Sequence, residues 1–200
     1  MTTAKRVEEQ IARRFAAGEV FFAGDFATDG DRPEQAGRIL AQLAKNKKIL
    51  RVGRGYYTRP KKSRFTGRDL LPGAEELARA FARKNGCKIM PDGATLSNKY
   101  QLSSQVPAKC VYVTDRGSGE FQLGSMKVSF KRRGTSVRRY CGSVGGEICA
   151  ALKYVGRSRI DSKQVRRQLS SALSTADKME LNQWSVNAPN WIRPLITELP

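Results

Sequence analysis

The apolar residues of the first 60 positions change spacing twice. Val7, Ile11 and Phe15, with Ala12 and Ala16 beside them, recur every three to five residues. That spacing predicts a helix which Thr3 can cap and Gly18 stops. A short apolar stretch follows from Val20 to Phe26, closed by Asp29-Gly30-Asp31. Asp31 or Arg32 then leads into Pro33, a favoured first helical residue. From Pro33 to Lys45 the stripe Ala36, Ile39, Leu40 and Leu43 marks a second long helix, with Gln35, Arg38, Gln42 and Lys45 opposite. After it the period becomes two. Ile49–Val52 and Tyr56–Arg59 flank Gly53-Arg54-Gly55 and predict a hairpin.

Pro60–Pro72 carries Lys61, Lys62 and Arg64 between proline and glycine breaks and reads as a linker. Beyond it, 73–84 has the spacing of an amphipathic helix, 87–90 that of a strand, and 94–100 that of a short helix. Strands are expected over 108–114, 121–123 and 126–131. Lys131-Arg132-Arg133 ends the last of these. Helices are expected over 147–155, 161–173 and 174–181, with the Gly145-Gly146 pair read as a cap. The dense close, from Trp184 through Pro189-Asn190-Trp191-Ile192 to Leu195-Ile196, reads as packed core rather than a partner surface. The expectation is an α+β chain. Residues 1–66 form a winged helix-turn-helix, and 67–200 form a mixed α/β domain with a helical C-terminal part. Ile11, Phe15, Ile39, Leu40 and Leu43 belong to the first core, and Leu77, Phe81, Val111, Val113, Leu152 and Leu169 to the second.

Charge then gives this outline a partner. Thirty-seven Lys and Arg against 18 Asp and Glu leave a net +19, and such a field attracts polyanions, of which nucleic acid is the commonest in cells. Residues 1–66 hold 15 basic and 7 acidic side chains, and 67–200 hold 22 and 11, so both halves are basic. The major groove of B-DNA admits a helix whose Arg and Gln grip guanine and adenine edges. Gln35, Arg38 and Gln42 would do this, with Arg32 at the helix entry. Lys45, Lys47, Lys48, Arg51 and Arg54 would lie near phosphates, where contacts set register and affinity rather than sequence, and Tyr56 is a further candidate DNA contact. Lys61, Lys62, Arg64, Lys131, Arg132 and Arg133 are further phosphate candidates. Taken alone, the same stripe reads better as the plain solvated face that every amphipathic helix has. Helix order, basic hairpin and net charge together favour DNA.

Other chemistries find little support. The chain has no histidine, which removes Ser-His-Asp and Cys-His arrangements and Cys2His2 metal sites. Cys87, Cys110, Cys141 and Cys149 form no Cys-x-x-Cys pair and read as thiols in a reducing cytosol, with no metal and no cofactor. The glycines at 117, 119 and 124 sit between strands, where no helix N-terminus awaits a phosphate. A nuclease site built on Asp115, Glu120 and Lys127 lacks the usual ordered spacing. No catalytic residue is assigned, and an enzyme is not expected. Glu8 and Glu9 fall where a signal peptide needs its apolar core, and no run reaches about 18 apolar residues; a cytoplasmic protein without a membrane partner is expected.

The stretches Gly93-Ala94-Thr95-Leu96-Ser97-Asn98, Leu102–Lys109 and Val111-Tyr112-Val113-Thr114-Asp115 resemble the AbiEi-type antitoxins and related transcriptional regulators. Gly55-Tyr56-Tyr57 and Pro189-Asn190-Trp191-Ile192 fit the same pattern, which departs at Tyr100-Gln101, where Leu-Gly is expected. The resemblance implies the antitoxin of a toxin–antitoxin pair. Its winged helix would repress its own promoter. Its second domain would counter a nucleotidyltransferase-like toxin, directly or only functionally. The alternative is an RNA-binding protein using both basic domains, with Tyr56, Tyr57 and Tyr112 as stacking platforms.

Overall fold

The computed structural model describes residues 3–29 and 33–199. Asp31 and Arg32, the expected entry to the second long helix, lie outside the described residues. The chain mixes helices and strands in two compact units, residues 1–87 with 120–128, and 88–119 with 129–200. That division differs from the expected 1–66 and 67–200.

In the first unit α1 (Thr3–Arg14) and α2 (Pro33–Lys45) flank a short strand β1 (Val20–Phe21) and a 3-10 segment, Ala23–Asp29. The strands β2 (Leu50–Gly53) and β3 (Tyr56–Thr58) follow. They form an antiparallel sheet ordered β1-β3-β2, with Phe21 opposite Tyr57 and Leu50 opposite Thr58. The periodic residues meet as expected. Val7, Ile11 and Phe15 of one helix side pack with Leu40, Leu43, Phe21, Phe26 and Ile49 in a single core. The Phe15 and Phe21 ring centres stand 4.9 Å apart. Arg59 closes the end of α1, its guanidinium donating to the carbonyls of Ala12 (3.1 Å) and Phe15 (2.7 Å). These are carbonyls that a helix end leaves unpaired.

Residues 60–72 are not the expected linker. Strands β4 (Lys61–Lys62) and β5 (Asp69–Leu70) pair antiparallel as a small hairpin. α3 (Ala74–Asn85) then buries Leu77, Ala78, Ala80 and Phe81. Leu77 and Phe81, expected in the second core, belong to the first unit. The reason is aromatic packing. Phe121, on β8 (Gly119–Leu123), meets Phe81 and Tyr56 edge-on, at 6.2 and 5.3 Å between ring centres. Gly53 allows this approach, since a Cβ there would stand 2.6 Å from the Phe121 ring.

In the second unit β6 (Ile89–Pro91) pairs antiparallel with β7 (Cys110–Thr114), and β7 neighbours β9 (Met126–Arg132), of which residues 129–132 fall in this unit. Asp92 caps α4 (Gly93–Lys99) by accepting from the Thr95 N–H at 3.0 Å. At the end of α4, Gln101 takes the left-handed conformation (φ +58°). A glycine suits this position best, and the chain departs there from the Leu-Gly expectation. A short helix that the pattern did not predict, α5 (Gly134–Tyr140), carries Arg138 and Arg139. The helices α6 (Val144–Val155), α7 (Ser162–Ala172), α8 (Thr175–Trp184) and α9 (Arg193–Ile196) complete the unit. Gly145 and Gly146 are not the cap of α6. Ser143 caps it, accepting from the Gly146 N–H at 3.1 Å, and the glycines lie buried in the first turn. Gly145 faces the Trp184 ring, and Gly146 lies against the Tyr140 backbone. The C-terminal residues Ile192, Leu195 and Ile196 are buried in the core with Leu152, Leu169 and Leu181. Among the described residues no helix is long and apolar enough to cross a membrane.

Candidate nucleic-acid interface

The outward face of α2 follows from its inward one. Burying Ala36, Leu40 and Leu43 leaves Gln35, Arg38, Gln42 and Lys45 exposed along the opposite stripe, as the spacing predicts. The stripe is not uniformly positive. Arg38 and Gln42 line a groove of about 900 Å³ with Lys5, Glu8 and Glu9 of α1, and Gln42 donates to Asn46 Oδ1 at 3.2 Å. Lys47 is exposed and turns the chain out of α2 in a left-handed conformation (φ +58°). Lys48 is exposed as well, but its ammonium pairs with Glu8 at 2.6 Å. It therefore links the α2–β2 connection to α1, although such an exposed pair contributes little to stability.

On the hairpin, Arg51 and Arg54 are exposed, with Arg54 at the turn and Gly55 beyond it at φ +76°. Tyr56 is different. Only 3% of its surface is exposed, so the expected place among the DNA contacts is corrected to a place in the core. Phe22, Phe121 and Lys84 enclose it, the Lys84 ammonium standing 4.3 Å from the ring centre. Burial pushes its hydroxyl up to about 12 and, with the Arg54 charge as a second cause, lowers the Lys84 ammonium from its ordinary value. Tyr56 thus packs as a core residue next to the turn that carries Arg54. Tyr57 is also buried.

The remaining candidates are divided between units. Lys61, Lys62 and Arg64 are exposed on the β4–β5 hairpin of the first unit, and Lys131, Arg132 and Arg133 are exposed in the second. Arg32 lies outside the described residues. The linker reading passed over two neighbours on the same hairpin, the exposed Phe65 and Arg68. The only signal for them in the sequence is an aromatic between two arginines.

The nuclease candidates have other partners. Asp115 accepts from the Lys88 backbone N–H at 2.8 Å, while Glu120 and Lys127 form an exposed ion pair at 2.8 Å. Among the described residues no three His, Cys, Asp or Glu side chains gather as a metal site. No curated protein matches the chain. Residues 6–181 match DUF6088, described as a family of unknown function. With most of its length covered by that match, the chain belongs to the DUF6088 family.

Proposed function

We propose that the chain is a DNA-binding transcriptional repressor of the cytoplasm, with its N-terminal part acting as a winged helix-turn-helix. The observation that carries this reading is the exposed Gln35-Arg38-Gln42-Lys45 stripe of α2, in the same unit as a basic hairpin held on the buried Tyr56. In this reading α2 lies in the major groove, where Arg38 reads a base edge, and Arg54 meets a phosphate from the wing. The antitoxin role, countering a nucleotidyltransferase-like toxin through the second part of the chain, is carried by the family resemblance alone, which is sharpest over residues 91–115. The alternative, stacking RNA on Tyr56, Tyr57 and Tyr112, loses support from their placement. The first two are buried, and Tyr112 is half-buried and stacked on Phe130 at 5.7 Å.

Two variants of the full chain test the division of roles. Arg38→Ala is expected to weaken promoter binding by about 1–3 kcal/mol and to relax preference at one base position. Arg54→Ala is expected to weaken all sequences alike and to make the salt dependence shallower by about one phosphate. Titrations of promoter duplexes with single base changes, at several salt concentrations, read both effects. Identical behaviour of the two variants would refute the assignment of helix to bases and wing to backbone.

A further inference from the structure

The tip of the β4–β5 hairpin is closed by its own hydrogen bonds. The Ser63 N–H donates to the Arg68 carbonyl and the Ser63 carbonyl accepts from the Gly67 N–H, each at 2.9 Å. Ser63 Oγ also accepts from the N–H groups of Phe65 (3.3 Å) and Thr66 (3.2 Å). Gly67 supplies the positive φ (+65°) that closes the turn. On this tip Phe65 is 99% exposed. Arg64 and Arg68 stand exposed on either side of it in sequence, and Lys61 and Lys62 precede them.

A phenylalanine left wholly in water forgoes the burial that favours it elsewhere, and a pre-formed turn holds it there. The partner that meets both the ring and the four cations presents flat apolar surface within a layer of negative charge. Duplex DNA has that construction, with stacked bases inside and phosphates outside. We propose that this hairpin is a wedge, Phe65 entering between two base pairs of duplex DNA while Arg64 and Arg68 hold the flanking phosphates. The proposal rests on the DNA-binding reading and adds a second element, apart from α2 and the wing, that deforms the duplex.

A wedge unstacks a base step and unwinds it, which a phosphate contact does not. The test relaxes a closed plasmid carrying the chain's own promoter with topoisomerase I in the presence of the full chain. The deproteinised DNA is then resolved, and duplex affinity is measured alongside. The wild-type chain is expected to leave the plasmid underwound. Phe65→Ala is expected to abolish the unwinding and weaken duplex binding about 5–150-fold, the range of one aromatic–base stack. Phe65→Trp keeps a stacking face and should keep the unwinding. Arg64→Ala should lower the salt slope by about one and still unwind at saturation. Circular dichroism of each variant should match the wild type, because Phe65 supports no core. Wild-type affinity and unwinding in Phe65→Ala would overturn the wedge alone, as would an effect of that variant on single strands only. A wild-type chain that binds no duplex would overturn the DNA reading and the wedge with it.

Discussion

A fragment ending at Thr66 is expected to lack a cooperative melting transition, although the chain pattern places a domain boundary there. The cut removes α3 and the strand bearing Phe121 from the unit to which they belong. Leu77 and Phe81 are at most 4% exposed in that unit, and full burial of each such side chain contributes about 1.5–3 kcal/mol. Losing the pair removes about 3–6 kcal/mol from a unit whose whole stability is on the order of 5–15 kcal/mol. Tyr56 would also lose Phe121 and the Lys84 ammonium, and Val20 would lose the bond its carbonyl accepts from Arg83 at 2.8 Å. Thermal unfolding of residues 1–66, followed by circular dichroism beside the full chain, reads the difference. A cooperative transition of the fragment at the full chain's temperature would show that α3 is dispensable.

The second large effect concerns Gly146→Ala, where two contributions have opposite sign. Alanine is the better helix former by about 0.8–1 kcal/mol, so local propensity alone would make the variant more stable. The added Cβ, however, would overlap the backbone carbonyl of Tyr140 at the end of α5. Backbone cannot swing aside as a long side chain can, and overpacking of this kind typically destabilises by about 1–3 kcal/mol, sometimes more. Net destabilisation of up to about 2 kcal/mol is expected, lowering Tm by up to roughly 8 °C for a chain of this size. Gly134→Ala is the control, since a Cβ there meets nothing within 4 Å. Its Tm should hold or rise slightly. A stabilised Gly146→Ala would mean that α6 does not press on α5 as described.

The stripes of α1 and α2 were readable because each helix buries one face, and a 3.6-residue period is the direct trace of that burial. The β4–β5 hairpin leaves no such trace. Lys61, Lys62, Asp69 and Leu70 are all exposed, so its strands show no alternation and rest on backbone pairing and the Ser63 turn. The segment carrying α5 reads as a basic run because only Val137 and Tyr140 mark its inner side. Tyr56 misled for another reason. Period two places it opposite Tyr57, so one of the two should face solvent, but α3 and Phe121 cover the second face. Those residues come from beyond the expected boundary, and no local pattern announces them. Gly145 and Gly146 were visible as punctuation, while their close packing depends on Trp184 and Tyr140.

Sequence-specific binding of duplex DNA can be decided by a single titration. The full chain is titrated at physiological salt against a duplex of its own promoter, a scrambled duplex of equal length and composition, and a single-stranded RNA of the promoter sequence. Promoter duplex is expected to bind about 10³-fold or more tighter than the scrambled one. Its log affinity should fall linearly with log salt, by about 0.9 for each phosphate contacted. Equal affinity for promoter and scrambled duplex, or tighter binding to the single-stranded RNA, would contradict the account.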